Sequence, residues 1–259
     1  MIPKIIHYVW LGNNPIPKSM QKCMDSWKKY MPDYEWMCWN DNSIKEIDSI
    51  FVNEAIQEKK WAFASDVIRL YAVYHYGGIY MDTDVMVYKS FDSLLNHQAF
   101  IGRENSTHII GKSTVNHLTT CCFGAEKGNA FIERCLRYYE NRHFITSKDI
   151  SLPMSLRLDV RTNSSIFCEI ARTIGYNPSI LANHMQSCEN DVLTIFPSWY
   201  FDAIKLMPDT FTKHMALGTW RDSQRKEFDY TFWFKIKWRI EFIAKYILDK
   251  FGYIMIEKR

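Results

Sequence analysis

Two carboxylates lie one residue apart in the segment GGIYMDTDV, residues 77–85, directly after an apolar run. At this spacing Asp82 and Asp84 repel each other unless a cation or water offsets the repulsion. If the run is a strand, residues two apart face the same side, about 6–7 Å from each other, and both can approach one ion. Carboxylate oxygens suit Mg²⁺ or Mn²⁺ better than Zn²⁺. The spacing therefore indicates a divalent-cation site, with a pair of solvated turn acids as the alternative.

A second charged pair lies upstream, in SDVIR at residues 65–69. Asp66 and Arg69 are three residues apart, so a helix would place them on one face. The surrounding segment is apolar, and an ion pair in such a segment is unfavourable unless the protein uses it. We therefore expect Asp66 and Arg69 to be functional, although a structural salt bridge is the alternative.

Strands and helices alternate along the first third of the chain. The composition and the turn residues predict strands at 5–10, 34–39 and 79–82, and helices at 17–31 and 62–76. The second helix should end at Gly77–Gly78, because glycine is the usual left-handed helix stop. Further strands are predicted at 99–105 and 119–126, and further helices at 130–142 and 162–174. This alternation predicts, in the first instance, a parallel α/β sheet with its ligands at the carboxyl ends of the strands.

The overall composition excludes several classes of protein. The chain has 259 residues, 47% of them hydrophobic, and contains no apolar run of the roughly 18 residues that a membrane-spanning helix needs. The first residues lack the features of a signal peptide, so we expect a cytoplasmic protein. Its seven cysteines include no C-x-x-C pair, and we expect reduced thiols in the core.

The C-terminal segment differs from the rest in charge. Residues 221–259 contain ten Lys/Arg and six Asp/Glu, whereas the preceding residues contain 22 and 23. The residues before 221 contain no basic stripe, which argues against nucleic-acid binding. We predict a domain over 1–222 and a basic, aromatic, helical appendage over 223–259.

The predicted helix of the appendage is amphipathic. An apolar stripe occupies one side, and the other side mixes aromatic and cationic residues, which suits a lipid headgroup region. The stripe comprises Phe232, Ile236, Ile240, Ile243 and Ile247. We expect residues 230–251 to contact the inner membrane surface, with packing against a partner subunit as the alternative.

Several motifs together resemble glycosyltransferase family 32. SDVIRLYAVYHYGGIYMDTD resembles the sugar-binding region of this family, IPKIIHYVWLG its opening, YEWMCWND its second strand and HMALGTW its closing segment. The family includes bacterial capsule and O-antigen transferases, yeast initiating mannosyltransferases and, more distantly, large glucosylating toxins. Its T-G-P segment is missing here, and Thr219 stands where the family usually has serine.

This resemblance implies a GT-A fold, that is, a Rossmann-like mixed sheet flanked by helices. It also implies a nucleotide-sugar donor, Mn²⁺ or Mg²⁺, and retention of anomeric configuration. A UDP-hexose such as UDP-galactose is the expected donor, because Trp10 and Asn40 look like a platform for uracil. The acceptor is expected to be a glycan or lipid-linked oligosaccharide, for example undecaprenyl-linked, in capsule or O-antigen synthesis at the cytoplasmic face of the inner membrane.

The resemblance also implies roles for individual residues. Asp84 and Asp82 would ligate the metal, with Asp82 also touching the ribose and His214 as a third ligand. Trp10 would stack on the base, beside Asn40. Donor binding would further involve Asp66 and Arg69 at the sugar, and Thr219 and Trp220 at the β-phosphate. We regard Asp66, Arg69, Asp82 and Asp84 as the candidate catalytic residues.

Two other functions remain possible from the sequence. A phosphohydrolase with an aspartate nucleophile also uses D-x-D, but on the first strand of its sheet, whereas here at least two strands precede the pair. A non-catalytic sugar-binding module would not need all four charged residues. No carboxylate stands out as a covalent nucleophile; Asp66, Glu104 and Asp159 are all possible.

Overall fold

The computed structural model of the protein describes residues 1–12, 14–106, 108–110 and 113–217. The strands are β1 (Ile5–Val9), β2 (Glu35–Trp39), β3 (Gly78–Met81), β4 (Val85–Val87), β5 (Ala99–Arg103), β6 (His108–Ile110), β7 (Ser113–Val115), β8 (Leu118–Ala125), β9 (Gln186–Cys188), β10 (Leu193–Phe196) and β11 (Thr212–His214). The helices are α1 (Lys18–Tyr30), α2 (Ile50–Gln57), α3 (Trp61–Tyr76), α4 (Ala130–Arg137), α5 (Met154–Arg157), α6 (Asn163–Thr173) and α7 (Ser198–Phe201). The predicted helix at 130–142 is thus shorter than expected.

Seven strands form the central sheet, in the order β2-β1-β3-β8-β5-β10-β9. Strands β1, β2 and β3 are parallel, β8 is antiparallel to both of its neighbours, and β9 is antiparallel to β10. The mixed sheet with flanking helices confirms the predicted GT-A-type fold class. The expectation of a wholly parallel sheet is wrong. Residues 104–117 contain a hairpin, β6–β7, where a parallel return would need a helical crossover, so β8 runs back antiparallel.

The two faces of the sheet are covered by different helices. Helices α2, α3, α4 and α6 bury one face, and α1 and α7 pack on the other. Strand β3 shows why both faces are apolar: Tyr80 packs with the first group, and Ile79 and Met81 pack with the second. All four residues of β3 are buried, which explains its continuous apolar run.

Two glycines connect α3 to β3. Gly77 and Gly78 have φ of +68° and +107°, a region that other residues rarely adopt. A Cβ at Gly77 would lie 2.8 Å from the backbone nitrogen of Lys127, and one at Gly78 would lie 2.7 Å from the carbonyl oxygen of Ile5. The helix stop predicted at Gly77–Gly78 is therefore confirmed, and it leads directly into the strand that precedes Asp82.

All seven cysteines are free thiols, and six of them are buried, as predicted. Among residues 1–217, as far as they are described, no helix is long and apolar enough to cross a bilayer. The predicted appendage at 223–259 lies outside the described residues.

Candidate active site

Three parallel strands end side by side at one edge of the sheet. The register pairs Val9 of β1 with Trp39 of β2, and His7 of β1 with Tyr80 of β3. Trp10, Asn40 and Asp82 therefore follow adjacent strand ends, which lie about 4.8 Å apart from one strand to the next. Because β2 and β3 flank β1 on opposite sides, this edge is a topological switch point, where open α/β sheets bind ligands.

The two aspartates of the D-x-D motif meet His214 at this edge. Their candidate ligand atoms all lie within 4.8 Å of one another, and His214 Nε2 is 3.2 Å from Asp84 Oδ1. We call Asp82, Asp84 and His214 the aspartate cluster. The histidine arrives from β11, which pairs with β4 so that His214 lies opposite Val85.

A turn, rather than strand alternation, brings the aspartates together. Strand β3 ends at Met81, and the backbone nitrogen of Val85 donates to the carbonyl oxygen of Asp82 at 3.0 Å. The sequence-based reason for their convergence is thus wrong, although the convergence itself is present. The backbone nitrogen of Asp82 still donates to Cys121 of β8, at 2.8 Å, so the turn is fixed to the sheet.

Asp84 is buried, with 8% of its surface exposed. Burial alone would raise the pKa of this carboxyl, but His214 and the backbone N–H of Leu217, 3.0 Å from Oδ2, lower it below its usual value. Burial likewise opposes protonation of His214, yet Cys121 and Asp84 raise its pKa well above the usual range. The pair therefore favours the ionised form of Asp84 and the protonated form of His214, and a cation bound here would compete with that proton.

Arg69 is the counter-ion of the site, and its side chain is 7% exposed. Each guanidinium nitrogen has an uncharged acceptor. Nε donates to the Ser65 carbonyl at 3.1 Å, Nη1 to the Thr120 carbonyl at 2.8 Å, and Nη2 to Ser65 Oγ at 3.1 Å. The guanidinium is therefore held in one orientation between α3 and β8.

Arg69 also joins the two charged motifs of the sequence. Its Nη2 is 3.2 Å from Asp66 Oδ1, and its Nη1 is 3.5 Å from Asp82 Oδ1. The Tyr80 ring lies under the guanidinium at 4.5 Å, and its hydroxyl donates to Asp82 Oδ1 at 2.6 Å. Burial raises the pKa of Asp66 to about 6 against the opposing effect of Arg69. The motifs SDVIR and D-x-D thus form one buried network.

A cavity of about 340 Å³ lies beside the ends of β1 and β2. Its lining comprises Trp10, Asn14, Cys38, Asn40, Asp41 and Asn42. The indole of Trp10 donates to the Asn14 carbonyl at 2.6 Å, which fixes the ring. Asn40 Oδ1 accepts the backbone N–H groups of Asn42 and Ser43, so this side chain is held by the turn that leads into a short 3₁₀ helix.

Two predicted site residues, Thr219 and Trp220, lie outside the described residues. Three residues near the site were missed by sequence reasoning, namely Tyr80, Cys121 and Asp202. Tyr80 is part of the G-G-x-Y-x-D-x-D pattern and could have been found. Asp202 follows α7, interacts electrostatically with His214, and has no local motif.

Comparison with known proteins indicates the class of enzyme that this chain resembles. Residues 17–101 match the family described as glycosyltransferase sugar-binding region containing DXD motif. Over 151 residues the chain is 30% identical to inositol phosphoceramide mannosyltransferase 3 of Schizosaccharomyces pombe, covering 55% of this chain and 40% of that protein. Over 124 residues it is 35% identical to mannosyl phosphorylinositol ceramide synthase CSH1 of Saccharomyces cerevisiae, covering 42% and 30%.

A similar solved structure is the PaToxG glycosyltransferase, with a TM-score of 0.47 and 21% identity, covering 66% of this chain and 69% of the other. The chain spans less than half the length of the two yeast relatives. Residues 17–101 are thus similar to the DXD sugar-binding region of glycosyltransferases, in agreement with the family resemblance of the motifs.

Proposed function

We propose that the protein is a metal-dependent glycosyltransferase that moves a hexose from a nucleoside diphosphate sugar to a glycan acceptor. The main support is the convergence of Asp82, Asp84 and His214 at the switch point of the sheet. The cavity lined by Trp10 and Asn40 lies at the same edge, beside the ends of β1 and β2. It supports the nucleotide part of the proposal.

The aspartate cluster fits a divalent cation. Two carboxylates and one imidazole, with ligand atoms within 4.8 Å of one another, suit Mn²⁺ or Mg²⁺ with the remaining positions taken by phosphate oxygens. When bound, such an ion neutralises the charge that develops on a departing diphosphate. In our proposal Asp84 and His214 hold it, and Asp82 holds it while facing the ribose.

We assign Asp66 and Arg69 to the sugar side of the site. Because the N–H groups of Arg69 already have acceptors, its role in the proposal is to orient Asp82 and Asp66. Asp66 then presents its carboxyl to sugar hydroxyls. Thr219 and Trp220 are proposed to contact the β-phosphate, on the strength of the motif alone.

The cavity at Trp10 is our proposed base pocket. An indole held by Asn14 offers a flat stacking surface, and the amides of Asn40 and Asn42 offer donors and acceptors to a base edge. A UDP-hexose such as UDP-galactose was predicted from these residues. The names of the yeast relatives favour mannose as a second candidate for the transferred sugar.

The acceptor and the cellular setting belong to the same proposal. Transfer with retention, to a lipid-linked or other glycan in surface polysaccharide synthesis, follows from the motif resemblance. The relatives named for inositol phosphoceramide support an acceptor carried by a lipid. The basic appendage at 223–259 would then place the domain over 1–222 at a membrane surface.

The test is a donor panel. The protein is incubated with Mn²⁺ and a series of UDP- and GDP-hexoses, and the released nucleoside diphosphate is measured. We expect release from one donor, and its loss in Asp84→Asn but not in Asp33→Asn. The control residue is an exposed acid that pairs with Lys4 on the surface. Failure to bind any nucleotide sugar, with or without metal, would refute the proposal.

Two further measurements address the finer parts. NMR of the product reports whether the anomeric configuration is retained. Sedimentation of the full chain with anionic vesicles, compared with a variant carrying Lys235→Glu, Lys237→Glu and Arg239→Glu, reports membrane contact. Equal sedimentation of the two chains would remove the membrane part and leave the transfer reaction untouched.

A further inference from the structure

A second group of potential metal ligands lies further along the same sheet edge. Glu104 follows β5, His117 precedes β8, and the backbone N–H of Glu104 donates to the His117 carbonyl at 2.8 Å. The two residues are therefore neighbours across adjacent strand ends. His108 begins β6, four residues after Glu104. We call Glu104, His108 and His117 the histidine cluster.

The side chains of this cluster converge. Glu104 Oε2 is 3.2 Å from His108 Nε2, and the rings of His108 and His117 stack at 3.8 Å with an angle of 9° between their planes. One candidate ligand atom from each residue lies within 4.8 Å of the others. Ser106 Oγ donates to Glu104 Oε2 at 2.6 Å and holds the carboxylate in place.

His117 gives an independent indication of a ligand. The residue is 8% exposed, and its Nδ1 is buried with no hydrogen-bond partner among the described residues. A buried nitrogen without a partner is unfavourable, because it has lost its hydrogen bond to water. An ion pair between Glu104 and His108 does not require a second imidazole beside it. The pair therefore does not explain the position of His117.

We propose that Glu104, His108 and His117 bind a transition-metal ion of the zinc class, separate from the ion of the aspartate cluster. One carboxylate and two imidazoles are a common zinc donor set, with a fourth position open to water or a substrate oxygen. Metal–ligand distances of about 2.0–2.1 Å in a tetrahedron put ligand atoms roughly 3.3–3.4 Å apart. The separation of 3.2 Å between Glu104 and His108 is close to this value.

Some rearrangement accompanies binding. Parallel rings direct their nitrogen lone pairs side by side, so the stack must open for both imidazoles to reach one ion. His108 can make this movement because its side chain is 39% exposed. His117 is buried directly before β8 and is held in place. The ion also supplies positive charge beside the Glu104 carboxylate, which otherwise pairs with His108.

The test uses Co²⁺ as a spectroscopic substitute for Zn²⁺. Titration of the full chain carrying Asp84→Asn, which disables the aspartate cluster, should give d–d absorption bands that saturate at one ion per chain. The bands should disappear when His117→Gln or His108→Gln is added. They should persist with His143→Gln, whose histidine lies on the surface against Glu54.

The remaining outcomes are equally decisive. Added Zn²⁺ should displace Co²⁺ and raise the thermal unfolding temperature of the Asp84→Asn protein, and circular dichroism shows whether each variant folds. If His117→Gln does not fold, Glu104→Gln takes its place. Bands that vanish with Asp84→Asn alone, or that survive loss of both His108 and His117, would overturn the proposal. Neither result bears on whether the enzyme transfers a sugar.

Discussion

Two carboxylate–histidine clusters share one edge of the sheet, and their compositions are reversed. The aspartate cluster has two carboxylates and one imidazole, whereas the histidine cluster has one carboxylate and two imidazoles. More oxygen favours a hard cation that also binds phosphate, and more nitrogen favours a zinc-class ion. In our proposal the same strand ends therefore select two different metals by side chain alone.

The clusters also differ in how the protein holds them. In the aspartate cluster Asp82 meets Arg69 and the Tyr80 hydroxyl, and Asp84 meets the Leu217 backbone. In the histidine cluster His117 has a buried nitrogen with no partner in the described part of the chain. The first cluster is supported by a permanent buried cation, and the second depends more on the ion it binds.

The largest expected effect comes from removing that permanent cation. Arg69→Met leaves Asp66 and Asp82 without their shared partner, and breaking a buried ion pair typically costs about 3–5 kcal/mol. Urea unfolding measures this loss. Arg134→Met, which breaks an exposed pair with Glu189, should cost under about 1 kcal/mol. Equal losses in the two variants would show that Arg69 is not the support of the aspartate cluster.

The next largest effect is the loss of Mn²⁺ affinity when a ligand of the aspartate cluster, rather than of the histidine cluster, is removed. Asp84→Asn should weaken Mn²⁺ binding at least about 100-fold, or roughly 2.7 kcal/mol, because a buried charged ligand is lost. His117→Gln should leave Mn²⁺ affinity nearly unchanged. Electron paramagnetic resonance of free Mn²⁺ in a titration gives both affinities. A comparable loss of Mn²⁺ in the His117 variant would mean that the clusters form one site.

A smaller effect is expected at Asp202, which lies between the clusters and interacts with both His214 and Glu104. Burial raises the pKa of this carboxyl to about 6 from 3.8, although the backbone N–H of Asn105 lowers it. The folded chain thus keeps a proton that the unfolded chain has released between these pH values. This contribution to stability is complete below pH 3.8 and is lost as the pH rises through 6.

Relative to Asp202→Asn, the wild-type protein should therefore lose about 1–2 kcal/mol of unfolding free energy between pH 4 and 6.5. Because Asp202 is partly exposed, this is less than the roughly 3 kcal/mol of the full shift. Urea unfolding curves at several pH values measure the difference, with Asp149→Asn as an exposed control. Parallel pH profiles for the wild type and Asp202→Asn would exclude a raised pKa at this residue.

The smallest expected effect comes from a single hydrogen bond. Tyr80→Phe keeps the ring under Arg69 but removes the hydroxyl that donates to Asp82 at 2.6 Å. A hydrogen bond of this kind is worth about 1 kcal/mol, so Mn²⁺ affinity should change by roughly fivefold. Calorimetric titration measures it. A change above 100-fold would mean that the tyrosine is a ligand or a catalytic group rather than a support.

The sequence predicts the first part of the site well because its residues are close together in the chain. The helix face of Asp66 and Arg69, the stop at Gly77–Gly78 and the two aspartates all lie within residues 66–84. Local rules of helix period, glycine conformation and strand spacing apply there. Even so, the aspartates meet through a turn, and no local rule shows that Arg69 finds one of its acceptors, the Thr120 carbonyl, on β8.

The rest could not be predicted because it depends on long-range pairing. Asp202 comes close to Glu104 and His214 only after β10 and β11 take their places in the structure. Glu104 and His117 become neighbours because β8 returns antiparallel to β5. A prediction of a parallel sheet would have placed the start of β8 at the opposite edge, far from the site.

The reversed direction of β8 also separates the domain into a fixed part and an exchangeable part. Its backbone supplies Thr120 and Cys121 carbonyls to Arg69 and Asp82, so the strand itself tolerates little change. The excursion at 104–117 leaves the sheet after β5 and re-enters it at β8, and its described residues touch the same edge without making those two contacts. Grafting a different excursion between these two strands should alter what the edge accepts while preserving the contacts that hold Arg69 and Asp82.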